Sequence, residues 1–346
     1  MLLFYLMWPK PHHLPAIERR SWKELDYFGS ILLISFAVLI VYAFQSVGID
    51  SDRWSQAVFI APLAVGVVSA IGLLLWSLFV ERQWGDAMAA ALPMNLLRDR
   101  VYTSAALNTM FLGFPYILII YAFPLRLQVV NGKDPLISGV FLLPMLACTA
   151  IGSALSGFIN GEKDRAFASL LAANSLMIIG CGLLSTLSAS YEIEARALGF
   201  LVFIGLGFGM VVSTATMLSS LRSSIRDHAP AQGIMAQVRV LGGSIGIAAS
   251  SVILSVTLGD EVGVVNSSQL ALLESDHSRE AEMQLTAIRG RYSDAFNTDM
   301  RVCTIVASVA ILFTFGTFTR NRLTVAERRE LQKLNEAARR EATASD

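Results

Sequence analysis

The sequence is short of charge. Asp, Glu, Lys and Arg together make up 16% of 346 residues, well under the roughly one quarter of an average soluble domain, so lipid rather than water is the expected solvent of much of the chain. There is no excess of one sign either, with 27 basic and 27 acidic residues, and this removes the electrostatic argument for nucleic-acid binding. The only cysteines, Cys148, Cys181 and Cys303, sit in apolar runs without metal-ligand spacing and imply no disulfide framework. The four histidines form no His-Glu-x-x-His or related pattern, so neither a metal nor a cofactor is expected. The opening MLLFYLMW is apolar for only eight residues and lacks both a basic flank and a cleavage site, which argues against a signal peptide.

What is present is length in apolar runs. A helix needs about 20 residues to cross the hydrocarbon core, and eight stretches qualify: 26–48, 56–79, 101–124, 136–159, 166–189, 196–218, 234–258 and 300–318. The fold class is therefore all-α, a polytopic membrane protein. The organisation reads as a helix remnant and loop over 1–25, two helices over 26–79, six more over 80–319 and a polar tail over 320–346. Residues 259–299 are expected to form a long loop. If the spans alternate, the connections on one side hold eighteen Lys and Arg and those on the other eight, so the positive-inside rule puts both termini in the cytoplasm. The 259–299 loop, with eight acidic residues, then faces outward. Its Asn266-Ser-Ser sequon is a glycosylation candidate on that side. Thr324 offers a helix cap for the tail.

No span holds Glu, Lys or His, and Asp is confined to span edges, so an intramembrane enzyme is not expected. Arg239 is the exception among charges. It lies about a turn and a half inside the seventh span and either faces the bundle or snorkels to the surface. Asn108, Gln128 and Asn174 are further candidates for a transport pathway or gate, although hydrogen bonds between helices explain such residues equally well. Gly205 with Gly209, Gly242 and Gly243 with Gly246, and Ser153 with Gly157 have helix-packing spacing. None follows a strand or carries a phosphate-loop Lys. Pro115, Pro124 and Pro144 are expected to interrupt spans and free backbone carbonyls.

Three stretches are more specific. Gln128-Val-Val-Asn-Gly-Lys-Asp-Pro135-Leu-Ile-Ser-Gly139 with Pro144, then Gly157 with Asp164 and Arg165, then Arg239-Val-Leu-Gly-Gly-Ser-Ile-Gly-Ile-Ala248 resemble the carboxyl-terminal part of the fourteen-helix drug:proton antiporters of the major facilitator superfamily, fungal members above all. The resemblance covers nearly the whole chain. It implies a six-helix carboxyl-terminal bundle preceded by two linker helices, and a conformational loop at Gly157, Asp164 and Arg165. It further implies efflux of small amphipathic substrates against protons, first-half helices that this sequence lacks and hence a truncated carrier whose coupling carboxylates lie elsewhere, and residence in the plasma membrane. A non-transporting fragment with a regulatory or relic role is the rival reading.

Overall fold

The computed structural model describes residues 25–49, 55–83, 91–161, 165–258, 279–319 and 324–345. Among these, no strand forms, and eight helical spans are long and apolar enough to cross a membrane. The chain is an integral multi-pass membrane protein. The segment 1–24, Asp164 and Asn266 lie outside the described residues.

Two helices come first, α1 (Tyr27–Ile49) and α2 (Ala57–Gln83). Asp26 begins the pair. Its carboxylate accepts the Gly29 N–H at 2.7 Å in the first turn of α1, and also the Trp76 indole N–H at 2.9 Å and the Ala91 N–H at 3.2 Å. One acidic side chain thus caps α1 and ties it to α2 and to the segment beyond. Most of their remaining surface is apolar and exposed, Ile31 at 62% and Val68 at 68%; a surface of that kind is expensive in water and neutral against lipid tails.

A short α3 (Met94–Arg98) leads into α4 (Arg100–Val129), then α5 (Pro135–Val140), α6 (Leu143–Asn160), α7 (Ala166–Leu184) and α8 (Arg196–Arg222). After one 3-10 turn come α9 (His228–Leu258), α10 (Arg279–Gly316) and α11 (Val325–Ser345). Helices α4, α6, α7, α8, α9 and α10 form the bundle: α4 packs on α9, α10 and α8, α6 on α8, α8 also on α7, and α7 on α10. The α1/α2 pair attaches through α1 to α9. At the centre, Tyr102, Leu112, Leu118, Ile119, Phe123 and Leu127 of α4 are inaccessible to solvent or nearly so.

Local chemistry explains the joints. Asp99 caps α4 by accepting the N–H groups of Val101 at 2.7 Å and Tyr102 at 3.1 Å. At its other end Gly132 adopts φ +60°, and Lys133 N–H reaches the Leu127 carbonyl at 3.0 Å, a closure of the helix end that a glycine in the left-handed region permits. Pro144 interrupts its span as expected, while Pro115 and Pro124 do not. Pro144 stands in the first turn of α6, where a missing N–H costs nothing, and because it cannot bond the Val140 carbonyl, the span breaks at Phe141 and Leu142. Pro115 and Pro124, by contrast, lie within an unbroken α4.

The largest correction concerns 259–299. Residues 279–299 are helical and extend the last span at its amino-terminal end. Their charges suggested a loop, yet charge does not break a helix as Gly or Pro does. Those polar side chains brace neighbouring elements: Arg291 donates to the Leu258 carbonyl at 2.6 Å, at the end of α9, Arg289 stands over the Tyr191 ring at 4.8 Å, and Asn297 donates to the Leu187 carbonyl at 3.0 Å.

Candidate functional site

The bundle interior is built on two crossings with the same construction. At the first, Gly242 and Gly246 of α9 sit against the Met110 and Phe114 carbonyls of α4, while Gly113 of α4 sits under the Arg239 carbonyl. At the second, Gly205 and Gly209 of α8 sit against the Met145 and Thr149 carbonyls of α6, while Gly152 of α6 sits under the Leu206 carbonyl. Each crossing places small residues on both helices, so the backbones approach more closely than side chains would permit. Gly243 faces Ile117. Ser153 donates to the Gly209 carbonyl at 3.0 Å. Gly157 has nothing within 4 Å of the position a Cβ would take. The packing partner on this helix is Gly152, which spacing to Gly157 concealed.

Asn108 and Asn174 are brought together, but not along an open path. Both are fully buried. Asn108 Nδ2 donates to the Ala310 carbonyl at 2.8 Å and to Thr314 Oγ1 at 2.9 Å; Asn174 Nδ2 donates to the same Thr314 oxygen at 2.9 Å and to the Leu170 carbonyl at 2.7 Å. Three helices, α4, α7 and α10, are joined at one polar point. Thr314 drew no notice in the sequence because one hydroxyl among apolar neighbours has no periodic signal. A second polar group links Ser156 to Thr214 at 2.7 Å and Asn160 to Ser169 at 3.2 Å, between α6, α7 and α8.

Arg239 is half-buried, eleven residues into α9 rather than a turn and a half, because the helix begins at His228. Its Nε–H donates to Thr109 Oγ1 of α4 at 3.3 Å, and among the described residues no carboxylate comes within ion-pair distance. It thus leans on α4. Gln128 lies half-buried on the last turn of α4, apart from these groups, and Arg165 is an exposed residue at the start of α7.

The two ends differ. One end gathers Arg222 with Asp99 at 3.3 Å, Arg98 with Glu81 at 3.2 Å, and Arg100 with the Phe318 carbonyl at 3.0 Å. The tail docks there: Gln332 Nε2 donates to the Ser220 and Ser223 carbonyls, both at 2.9 Å, which the end of α8 would otherwise leave open. Thr324 caps α11 by accepting the Glu327 N–H at 3.2 Å while its own N–H donates to Glu327 at 2.7 Å, a reciprocal box that pulls the Glu327 carboxyl below its usual range. At the opposite end the 185–195 connection is held by Arg126, donating to the Ser188 carbonyl at 2.7 Å, and by Asn131, donating to the Ser190 and Tyr191 carbonyls at 3.1 Å. There the side-chain hydrogen bond from Arg196, together with those from Ser188, holds Glu194 down to about 2 against the opposing effect of burial.

One group was missed. Asp299, assigned from sequence to the edge of a span, lies inside α10 and is only 3% exposed. Its Oδ2 accepts the Ser250 hydroxyl of α9 at 2.6 Å. Among the described residues the interior offers packed crossings, buried amides and isolated charges.

No family model matches the sequence. Over 300 residues the chain is 28% identical to an MFS-type transporter, FPY5, of Fusarium mangiferae, covering 85% of this chain and 50% of that protein. It is 28% identical over 328 residues to the efflux pump notK of an Aspergillus species, covering 90% of this chain and 56% of the other. The efflux pump dotC of Dothistroma septosporum is 25% identical over 252 residues, covering 73% and 42%. The chain spans about half the length of the curated relatives it matches. Among solved structures, a bacterial homologue of the human lysosomal transporter Spinster, inward-facing and occupied, aligns at a TM-score of 0.50 with 13% identity, covering 86% of this chain and 84% of that one. That likeness concerns the fold. By sequence, the chain is related over most of its length to fungal MFS-type transporters.

Proposed function

We propose that this chain forms the carboxyl-terminal bundle and linker helices of a small-molecule efflux carrier working by proton antiport. The supporting observation is its similarity, across 73–90% of the chain, to proteins named efflux pumps, joined to a bundle whose crossings are made of close backbone contacts. Contacts of that kind hold the bundle together as one body, and alternating access rests on one such body rocking against another. The cargo class is small and amphipathic, and the carrier sits in the plasma membrane with both termini in the cytoplasm.

The orientation has a direct test. Single cysteines introduced near Arg98 and Arg222 are expected to resist an impermeant thiol reagent on intact cells, and cysteines near Arg279 to react. Labelling near Arg279 only after permeabilisation overturns the orientation.

Arg239 is assigned to the pathway or its gate. In a carrier extended by a full first half, Arg239→Leu is expected to lower efflux of a fluorescent amphipathic dye about tenfold or more at equal expression, with Arg239→Lys keeping part of it, since a charge within a span is costly in lipid and commonly faces the bundle interior or a cavity. Undiminished efflux by Arg239→Leu assigns the residue to surface snorkelling instead.

A further inference from the structure

We infer that Asp299 is a proton-binding site within the bundle, its carboxyl taking up and releasing a proton against the Ser250 hydroxyl where α9 crosses α10. Three observations converge. Asp299 is buried, its Oδ2 has one short bond, and its Oδ1 has no hydrogen-bond partner. Among the described residues no Lys, Arg or His lies within ion-pair distance of it. Buried carboxylates are kept charged by a countercharge or by several donors. Here there is one donor.

The surroundings leave that donor alone. Basic groups at this end of the bundle are otherwise engaged: Arg126 of α4 binds the Ser188 carbonyl and lies over Phe296 at 5.3 Å, and Arg291 binds the Leu258 carbonyl. Arg301, two residues on, is exposed. Arg289, ten residues earlier on α10, lies over the Tyr191 ring. The other titratable side chains on the packed elements include Asp294, Tyr292 and Cys303 of α10, Cys181 of α7, and Tyr102, Tyr116 and Tyr121 of α4; the stretch 240–258 of α9 has none. None of these supplies a positive charge.

The contact geometry accommodates both protonation states. With the carboxylate charged, Ser250 donates its hydroxyl hydrogen to Oδ2. The added proton binds Oδ1, which has no partner, and the neutral acid keeps the serine bond at Oδ2. One proton enters and no hydrogen bond is broken. Gly316 stands 17 positions after Asp299, a rise of roughly 26 Å out of a hydrocarbon thickness of about 30 Å, so the carboxyl is within about one turn of the far boundary. Exchange therefore occurs through the end held by the 185–195 connection. A role in coupling rests on the carrier reading above; the proton site itself does not.

The test is an infrared difference titration of the 346-residue protein reconstituted in lipid, with efflux deliberately not used as the readout, so that failure of the carrier reading leaves it intact. Acidification is expected to bring in the carbonyl stretch of a protonated carboxylic acid. Asp299→Asn, an isostere of the neutral acid, should lose that band, and Ser250→Ala should shift its frequency and move its midpoint by about one pH unit. A titration unchanged in Asp299→Asn, or a band that does not respond to pH, overturns the assignment. If Asp299→Asn does not fold, Ser250→Ala decides: a shifted band supports the site and an unshifted one rejects it.

Discussion

Expressed by itself, the 346-residue chain inserts into membranes and leaves efflux of amphipathic dyes at the background of a pump-deficient host. A carrier of the kind proposed holds its cargo between two bundles that rock against each other, and the described helices build one bundle together with an accessory pair. The same chain joined to a first half taken from one of its longer relatives is expected to raise proton-gradient-dependent efflux at least tenfold. Equal efflux by both forms would show that one bundle, or an assembly of its copies, suffices.

The second large effect concerns the glycines at the two crossings. Gly242→Leu and Gly209→Leu are each expected to abolish the monodisperse, folded protein in detergent. A Cβ at either position runs into a backbone carbonyl, of Met110 and Thr149 respectively. Overpacking an ordinary side-chain contact costs about 1–3 kcal/mol, and a carbonyl within a helix cannot move aside as a side-chain tip can. Gly157→Leu is the internal control, with open space at its Cβ and an expected change in thermal midpoint of no more than about 2 °C for an exposed substitution within ±0.5 kcal/mol. Size-exclusion profiles and thermal unfolding of the three variants check the ordering, and similar behaviour of all three would remove the special role of the crossings.

The eight spans were legible because lipid imposes length and apolarity together, and both can be read along one dimension. Boundaries were less so. α4 runs to Val129 and α9 begins at His228, since polar residues at helix ends belong to the helix without belonging to the hydrocarbon. Residues 279–299 show the same effect on a larger scale: Arg289, Arg291 and Asp294 read as loop chemistry, whereas two of these arginines brace neighbouring elements. Asp299 was misjudged for that reason alone. Asn108 and Asn174 were visible as unusual residues, but their joint attachment to Thr314 depends on three helices meeting, which no single segment records. Gly152 and Gly157 could not be told apart by spacing, because spacing does not say which way the helix is turned.

The length of α10 has a mechanical consequence. Thirty-eight residues make a rod of roughly 57 Å, nearly twice the hydrocarbon thickness of about 30 Å. The inner part of this rod is pinned to α4 and α7 through Thr314, and the outer part is braced on Leu258 and the 185–195 connection. It therefore acts as a lever with bearings at two heights. A tilt of about 10° that is barely measurable within the bundle would displace the outer 27 Å or so by roughly 5 Å at its tip. A spin label near Arg279, paired with one near Glu194, would read the posture of the whole bundle from outside the membrane.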